Sequence, residues 1–153
     1  RLRSFLRGRY GAKIAMHAAD LGMAERGDMF CNRKKGNALI RKLAPFLFGF
    51  GSKDRFTPDL LVDEGFDLSP YGLTAQLFSL PGHSRGSLGL LVVAQAGNSL
   101  FCGDLLENTT TPALNSIMDD PQAASASLAR LNALPIHTVY PGHGPAWQWV
   151  PLK

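Results

Sequence analysis

The sequence predicts an α+β fold in which one layer of sheet carries helices on one face. From residue 59 onward, short apolar or alternating runs are divided by Gly, Pro and Asn, the pattern of successive strands. Before that point, Leu39, Ile40 and Leu43 recur at helical spacing, and a capped helix follows the strands near residue 120. A sheet of this kind needs something to cover its other face.

Taken in order, residues 2–9 read as the tail of a helix stopped around Gly8 and Gly11, and residues 12–16 as a short apolar strand. Residues 17–25 give a helical turn or two, and residues 37–44 a short helix. Pro45 ends or kinks that helix, leaving Phe46, Leu47 and Phe48 as an apolar continuation, before Gly49, Gly51 and Pro58 break the chain. Residues 60–62, 73–80, 87–94 and 98–102 follow as strands, and Ala96-Gly97-Asn98 makes the last two a hairpin. Asp119-Asp120-Pro121 caps a helix to about residue 134, with proline in the first turn and acidic groups at the positive end. Residues 136–140 form the final strand. Neither repeats nor a second domain are visible, so residues 1–153 read as a single domain.

Composition narrows the function. With 45% hydrophobic and 18% charged residues, the 153-residue chain has the balance of a globular protein with a real core. No apolar run reaches the roughly 18–20 residues of a membrane span, so no membrane partner is expected. The net charge is +4, with basic residues gathered in 1–9 and 33–42. Such clusters bind nucleic acid or steer acidic substrates, but no nucleic-acid module accompanies them, and a solvated helix face is the plainer reading. Cys31 and Cys102 form no CxxC pair; a buried free thiol in a reducing compartment points to the cytoplasm.

The chemistry lies in three short motifs: Pro81-Gly82-His83-Ser84-Arg85-Gly86-Ser87, Gly103-Asp104 and Pro141-Gly142-His143-Gly144. Each follows a predicted strand and sets one potential metal ligand beside glycine. Strand ends on one sheet edge converge in space, so His83, Asp104 and His143 are candidate metal ligands. The glycines permit positive φ or close backbone approach, and Ser84 and Ser87 are placed to fix the His83 turn. A lone histidine in such a loop is more often a turn residue; three such features in this order, two histidines and an aspartate each after a strand, point to metal ligands.

The run from Leu80 to Gly89 resembles the third motif of the metallo-β-lactamase superfamily, Leu100-Phe101-Cys102-Gly103-Asp104 the fourth, and Val139-Tyr140-Pro141-Gly142-His143-Gly144-Pro145 the fifth. Tyr10-Gly11-Ala12-Lys13-Ile14-Ala15-Met16-His17 is similar to the strand after the first motif's helix in glyoxalase-II-like members. The resemblance implies an αββα sandwich and a hydrolase in which hydroxide attacks an ester, thioester, lactam or phosphodiester bond of a small-molecule substrate. It implies zinc, with iron and manganese as known alternatives. By resemblance, His83 binds one metal, His143 the second, and Asp104 bridges both and is catalytic.

One part of the pattern is missing. The HxHxDH run that supplies further ligands should stand upstream of Tyr10, where residues 1–9 contain neither His nor Asp. His17 and Asp20 lie beyond the following strand; His17 either lines the pocket mouth or is structural, and His137 is structural. The expectation is an N-terminally truncated domain, mainly the C-terminal half of the sandwich, with weak or no metal binding and negligible hydrolysis alone. The alternative is a non-catalytic module that binds a partner or itself. An uncovered sheet face predicts a homo-oligomer. Residues 36–58 are expected over the pocket, with Phe46, Phe48, Phe50 and Phe56 either forming an apolar wall or belonging to the core.

Overall fold

In the computed structural model, which describes residues 2–28, 30–31 and 55–152, helix α1 (Leu2–Tyr10) runs through Gly8. It stops where Gly11 takes φ +63°. A single glycine weakens a helix without ending it, whereas the left-handed turn at Gly11 does end it. Strand β1 (Ala15–Met16) pairs in parallel with β2 (Leu60–Leu61) as a small separate sheet. Asp59 fastens this pair: its Oδ2 accepts from the Ile14 amide and the Arg7 guanidinium, each at 2.8 Å. Those two bonds hold its carboxyl below the usual range. Between the strands, a 3-10 turn (Ala18–Asp20) leads into α2 (Leu21–Arg26), which ends on Gly27 in the left-handed conformation.

Contacts divide the chain into two units, Arg1–Val62 and Asp63–Lys153. The 60–62 run therefore differs from its expected place: it pairs with β1 and does not open the series of strands that follows. The expected helix at 37–44 and the apolar residues Phe46, Phe48 and Phe50 lie outside the described residues. Phe56, the described member of that aromatic set, is partly buried, and its amide donates to the Ala24 carbonyl.

The second unit is built on β3 (Ala75–Ser79), β4 (Leu88–Val92), β5 (Ser99–Glu107), β6 (Ala113–Leu114), β7 (Thr138–His143) and β8 (Trp147–Gln148). They form one sheet in the order β3-β4-β5-β7-β8, with β6 pairing the far end of β5. The β4–β5 hairpin turns at Gly97, as its Gly-Asn step predicts. Helix α3 (Pro121–Asn132) connects β6 to β7, which runs parallel to β5. Its first turn follows the expected chemistry: the Asp120 carboxylate caps it by accepting from the Ala123 amide. β8 replaces β7 as the last strand; two residues are too few for a periodic pattern to show.

Helix α3 buries Ala124, Leu128 and Leu131 against Leu80, Leu91, Leu100, Cys102, Leu105, Leu106 and Val139. Each fully buried leucine contributes about 1.5–3 kcal/mol. On the opposite face, Leu77, Leu90, Phe101 and Tyr140 stand in register across four strands. Phe101 and Tyr140 stack there with centroids 4.8 Å apart, and Phe101 keeps 44% of its surface exposed.

Candidate metal centre

Alternation along β5 puts Leu100 and Cys102 into the α3 core, and on strict alternation Asp104 would follow them. It does not. Pairing with β7 shifts register on both sides of Gly103, which adopts φ +53°. Beyond this irregularity Leu105 and Leu106 are buried and Asp104 is turned out of the core. A bulge commonly re-aims a side chain in this way. Asp104 therefore lies inside a strand, not after one as expected, and His143 is the last residue of β7. The Pro-Gly pair before His143 stays in the ladder: Pro141 sits opposite Gly103, and His143 opposite Glu107.

The three candidate ligands come together. Asp104 Oδ2 lies 3.6 Å from His83 Nε2, and Asp104 Oδ1 lies 3.6 Å from His143 Nε2. Neither contact is a hydrogen bond at that length. Two ligands held 2.0–2.2 Å from one ion at the tetrahedral angle stand about 3.3–3.6 Å apart. Each separation thus suits one ion seated between an imidazole nitrogen and a carboxylate oxygen, with the carboxylate shared by two such edges. The donor types and spacing fit a metal; the count on each edge is two, below the three a catalytic zinc holds. Among the described residues no group of three His, Cys, Asp or Glu side chains is placed to hold one ion.

The two imidazoles are held differently. His83 is 20% exposed, and its Nδ1 lies 2.8 Å from the Ile117 carbonyl. A carbonyl only accepts, so Nδ1 carries a proton, and Nε2 faces Asp104. His143 is 60% exposed, while its backbone carbonyl accepts from the Asn108 amide. The His83 turn is fixed as expected: Ser87 Oγ accepts from the Ser84 amide at 3.0 Å and bonds Ser84 Oγ at 2.8 Å. Gly142 is required for approach, because a Cβ there would overlap Asp104 Oδ1. Gly144 takes φ +90°, and a Cβ there would overlap the Asn108 carbonyl.

The other two histidines each make a bond within their own segment. His17 caps the 3-10 turn by accepting from the Ala19 amide at 3.0 Å. The His137 ring packs over Gly97, where a Cβ would come within 2.7 Å of it, and bonds Thr138 Oγ1. Burial pushes the Cys102 thiol up to about 11, so it is an inert core group. Sequence reasoning missed the Ile117 carbonyl, a backbone acceptor that no residue type announces.

A family model described as the metallo-beta-lactamase superfamily matches residues 4–143. The chain belongs to the metallo-beta-lactamase superfamily. Among its relatives in this superfamily is a "Beta-lactamase-like protein 2 homolog" of Caenorhabditis elegans, 34% identical over 86 residues. That match covers 55% of this chain and 26% of the relative. A "Hydroxyacylglutathione hydrolase" of Pseudomonas paraeruginosa is 37% identical over 94 residues, covering 56% of this chain and 32% of the relative. The chain thus aligns with only a quarter to a third of these relatives' length. The crystal structure of TTHA1623 in a di-iron-bound form superposes with a TM-score of 0.67 at 29% identity, over 95% of this chain and 64% of that one. BLEG-1, a B3 metallo-beta-lactamase, shares the fold with a TM-score of 0.65 at 22% identity, over 94% and 63%. Among the described residues no helix is long and apolar enough to cross a membrane.

Proposed function

We propose that the chain carries one side of a metal-dependent hydrolytic centre, with His83, Asp104 and His143 as its metal donors. Asp104 serves both edges and is the residue on which catalysis turns. The observation that carries this reading is the pair of 3.6 Å nitrogen–oxygen separations on the two oxygens of one carboxylate. The substrate class we assign is a small ester or thioester, in keeping with the hydroxyacylglutathione hydrolases among the relatives.

A divalent ion, zinc by preference for this imidazole and carboxylate set, supplies Lewis-acid polarisation of the scissile carbonyl when bound. The chain's own residues do the rest. His83, with Nδ1–H given to Ile117, directs Nε2 toward Asp104 as a metal donor. Asp104 offers one oxygen to each imidazole edge and sets their separation. His143 projects from the end of β7 on the more open side, where a substrate has access. Within the second unit the remaining histidine, His137, bonds Thr138 Oγ1, so each edge holds one imidazole and one carboxylate oxygen. Metal binding by the chain alone is accordingly weak and hydrolysis negligible.

Titration of the 153-residue chain with Zn²⁺ against a chromophoric chelator tests this, alongside hydrolysis of an S-acyl-glutathione thioester. The expected result is saturable, micromolar or weaker binding that Asp104→Asn abolishes, without turnover. Metal retained stoichiometrically through chelator dialysis, or steady thioester turnover, would overturn the weak-binding claim. Binding that ignores Asp104→Asn would overturn the site.

A further inference from the structure

The acceptor that fixes His83 is itself held in place. Asn115, 7% exposed, lies just after β6. Its amide donates to the Leu105 carbonyl at 3.0 Å, which anchors it to β5 immediately beyond Asp104. Its side-chain Oδ1 accepts from the Ile117 amide at 2.8 Å, closing an Asx turn over Asn115-Ser116-Ile117. The Ser116 amide donates to Glu107 Oε1 at 3.3 Å. The turn thus rests on β5 at two points, and the carbonyl of its last residue, Ile117, lies 2.8 Å from His83 Nδ1. The Ile117 side chain is 64% exposed. Packing of so exposed a side chain contributes little to holding the carbonyl.

We propose that Asn115 is a positioning residue: by closing the turn at Ile117 it holds His83 in the Nδ1–H form with Nε2 facing Asp104. It thereby makes the His83–Asp104 edge the tighter of the two metal edges. The inference rests on the metal-donor reading above, and extends it to a residue that touches neither metal nor substrate. Among the described residues the His143–Asp104 edge shows no comparable device: the His143 ring is 60% exposed, and its backbone carbonyl accepts from the Asn108 amide. A ring held in its ligating tautomer does not have to be reordered when metal arrives. Removing a partner of that kind weakens metal binding by about 10–100-fold.

The test is long-range ¹H–¹⁵N spectroscopy of the four histidine rings in the metal-free chain at mildly alkaline pH, followed by Zn²⁺ titration. In the wild type, His83 shows the Nδ1–H pattern, and its resonances respond to Zn²⁺ before those of His143. In Asn115→Ala, His83 moves toward the Nε2–H form that free imidazoles favour, and Zn²⁺ affinity at His83 drops about 10–100-fold. Asn115→Asp, which keeps the Asx acceptor, restores both. Asn132→Ala, which removes the bonds between Asn132 and Leu152 away from the site, serves as a control for mere loss of stability. It leaves the His83 pattern unchanged.

An unaltered His83 pattern in Asn115→Ala would overturn the proposal, as would an altered pattern with unaltered affinity. Asn115→Asp behaving like alanine, or Asn132→Ala shifting His83, would also do so. A wild type that takes up no Zn²⁺ refutes the donor reading itself. A wild type that binds Zn²⁺ while Asn115→Ala binds it equally well refutes only this inference.

Discussion

Gly82→Ala should be among the most damaging single-methyl changes available in this chain. The Gly82 carbonyl accepts from the amides of both Asp119 and Asp120, at 2.9 and 3.0 Å, and so ties the His83 loop to the start of α3. A Cβ on residue 82 would lie 2.6 Å from Ala124 Cβ, 2.7 Å from its Cα and 3.0 Å from its amide nitrogen. Two of those three atoms are backbone and cannot swing aside. Ala124 is fully buried on the helix face that packs on the sheet. Overpacking of this kind costs about 1–3 kcal/mol. The φ of +152° at residue 82 adds strain of about 1–2 kcal/mol for a residue with a side chain.

The expected loss is therefore about 2–5 kcal/mol, read as a fall in the urea midpoint at constant slope. Adding Ala124→Gly removes one of the three clashes at a cost of about 1 kcal/mol in helix propensity. The two changes should couple by about 0.5–3 kcal/mol in a double-mutant cycle. A loss from Gly82→Ala below about 1 kcal/mol, or strict additivity with Ala124→Gly, would refute the close-approach reasoning.

Two further outcomes concern titratable groups. The Arg130 guanidinium, 2.7 Å from Glu64, and the Ser79 amide hold the Glu64 carboxyl below its ordinary value of 4.5. Because the folded value is the lower one, this contribution is complete above the ordinary value and disappears as pH falls through the folded one. Both side chains are more than a third exposed, so Glu64→Gln should cost no more than about 1 kcal/mol near neutrality. Urea midpoints of wild type and Glu64→Gln should converge in acid; a gap that persists there contradicts the pairing. For Cys102, a thiol raised from 9.0 to about 11 has roughly a hundredfold less thiolate at mildly alkaline pH. In a Cys31→Ala background, alkylation should be slow in the folded chain and fast in urea, and prompt labelling without denaturant would show that the thiol is not enclosed.

Much of the second unit was legible because local chemistry and tertiary structure agree there. The Gly97-Asn98 turn, the Asp120 cap and the serines of the His83 loop each do locally what their residue types favour. The places that misled are those where glycine and proline act within an element. Gly8 lies inside α1, Gly103 forms an irregularity in β5, and Pro141-Gly142 continues β7 against it. Sequence reads such residues as ends; here the neighbouring strand supplies the pairing that carries the chain past them. The short pieces β6 and β8 carry no period of their own and exist only by pairing with longer strands. His83, Asp104 and His143 could be named from their motifs, but the acceptor behind His83 is a main-chain atom placed by an asparagine, and no motif encodes it.

The parallel pairing of β5 with β7 also bears on where this chain can change in length. Asp104 and His143 are spaced by a hydrogen-bonded ladder, not by the covalent path between them, so residues added between α3 and β7 leave their separation untouched. The hairpin turn at 94–97 is equally neutral, since it lies at the end of β5 remote from Asp104. Residues 108–117 are another matter: that stretch must leave β5, pair back onto it and deliver one carbonyl to His83. Insertions and deletions should therefore be confined to the first two places, and a grafted loop or tag belongs there.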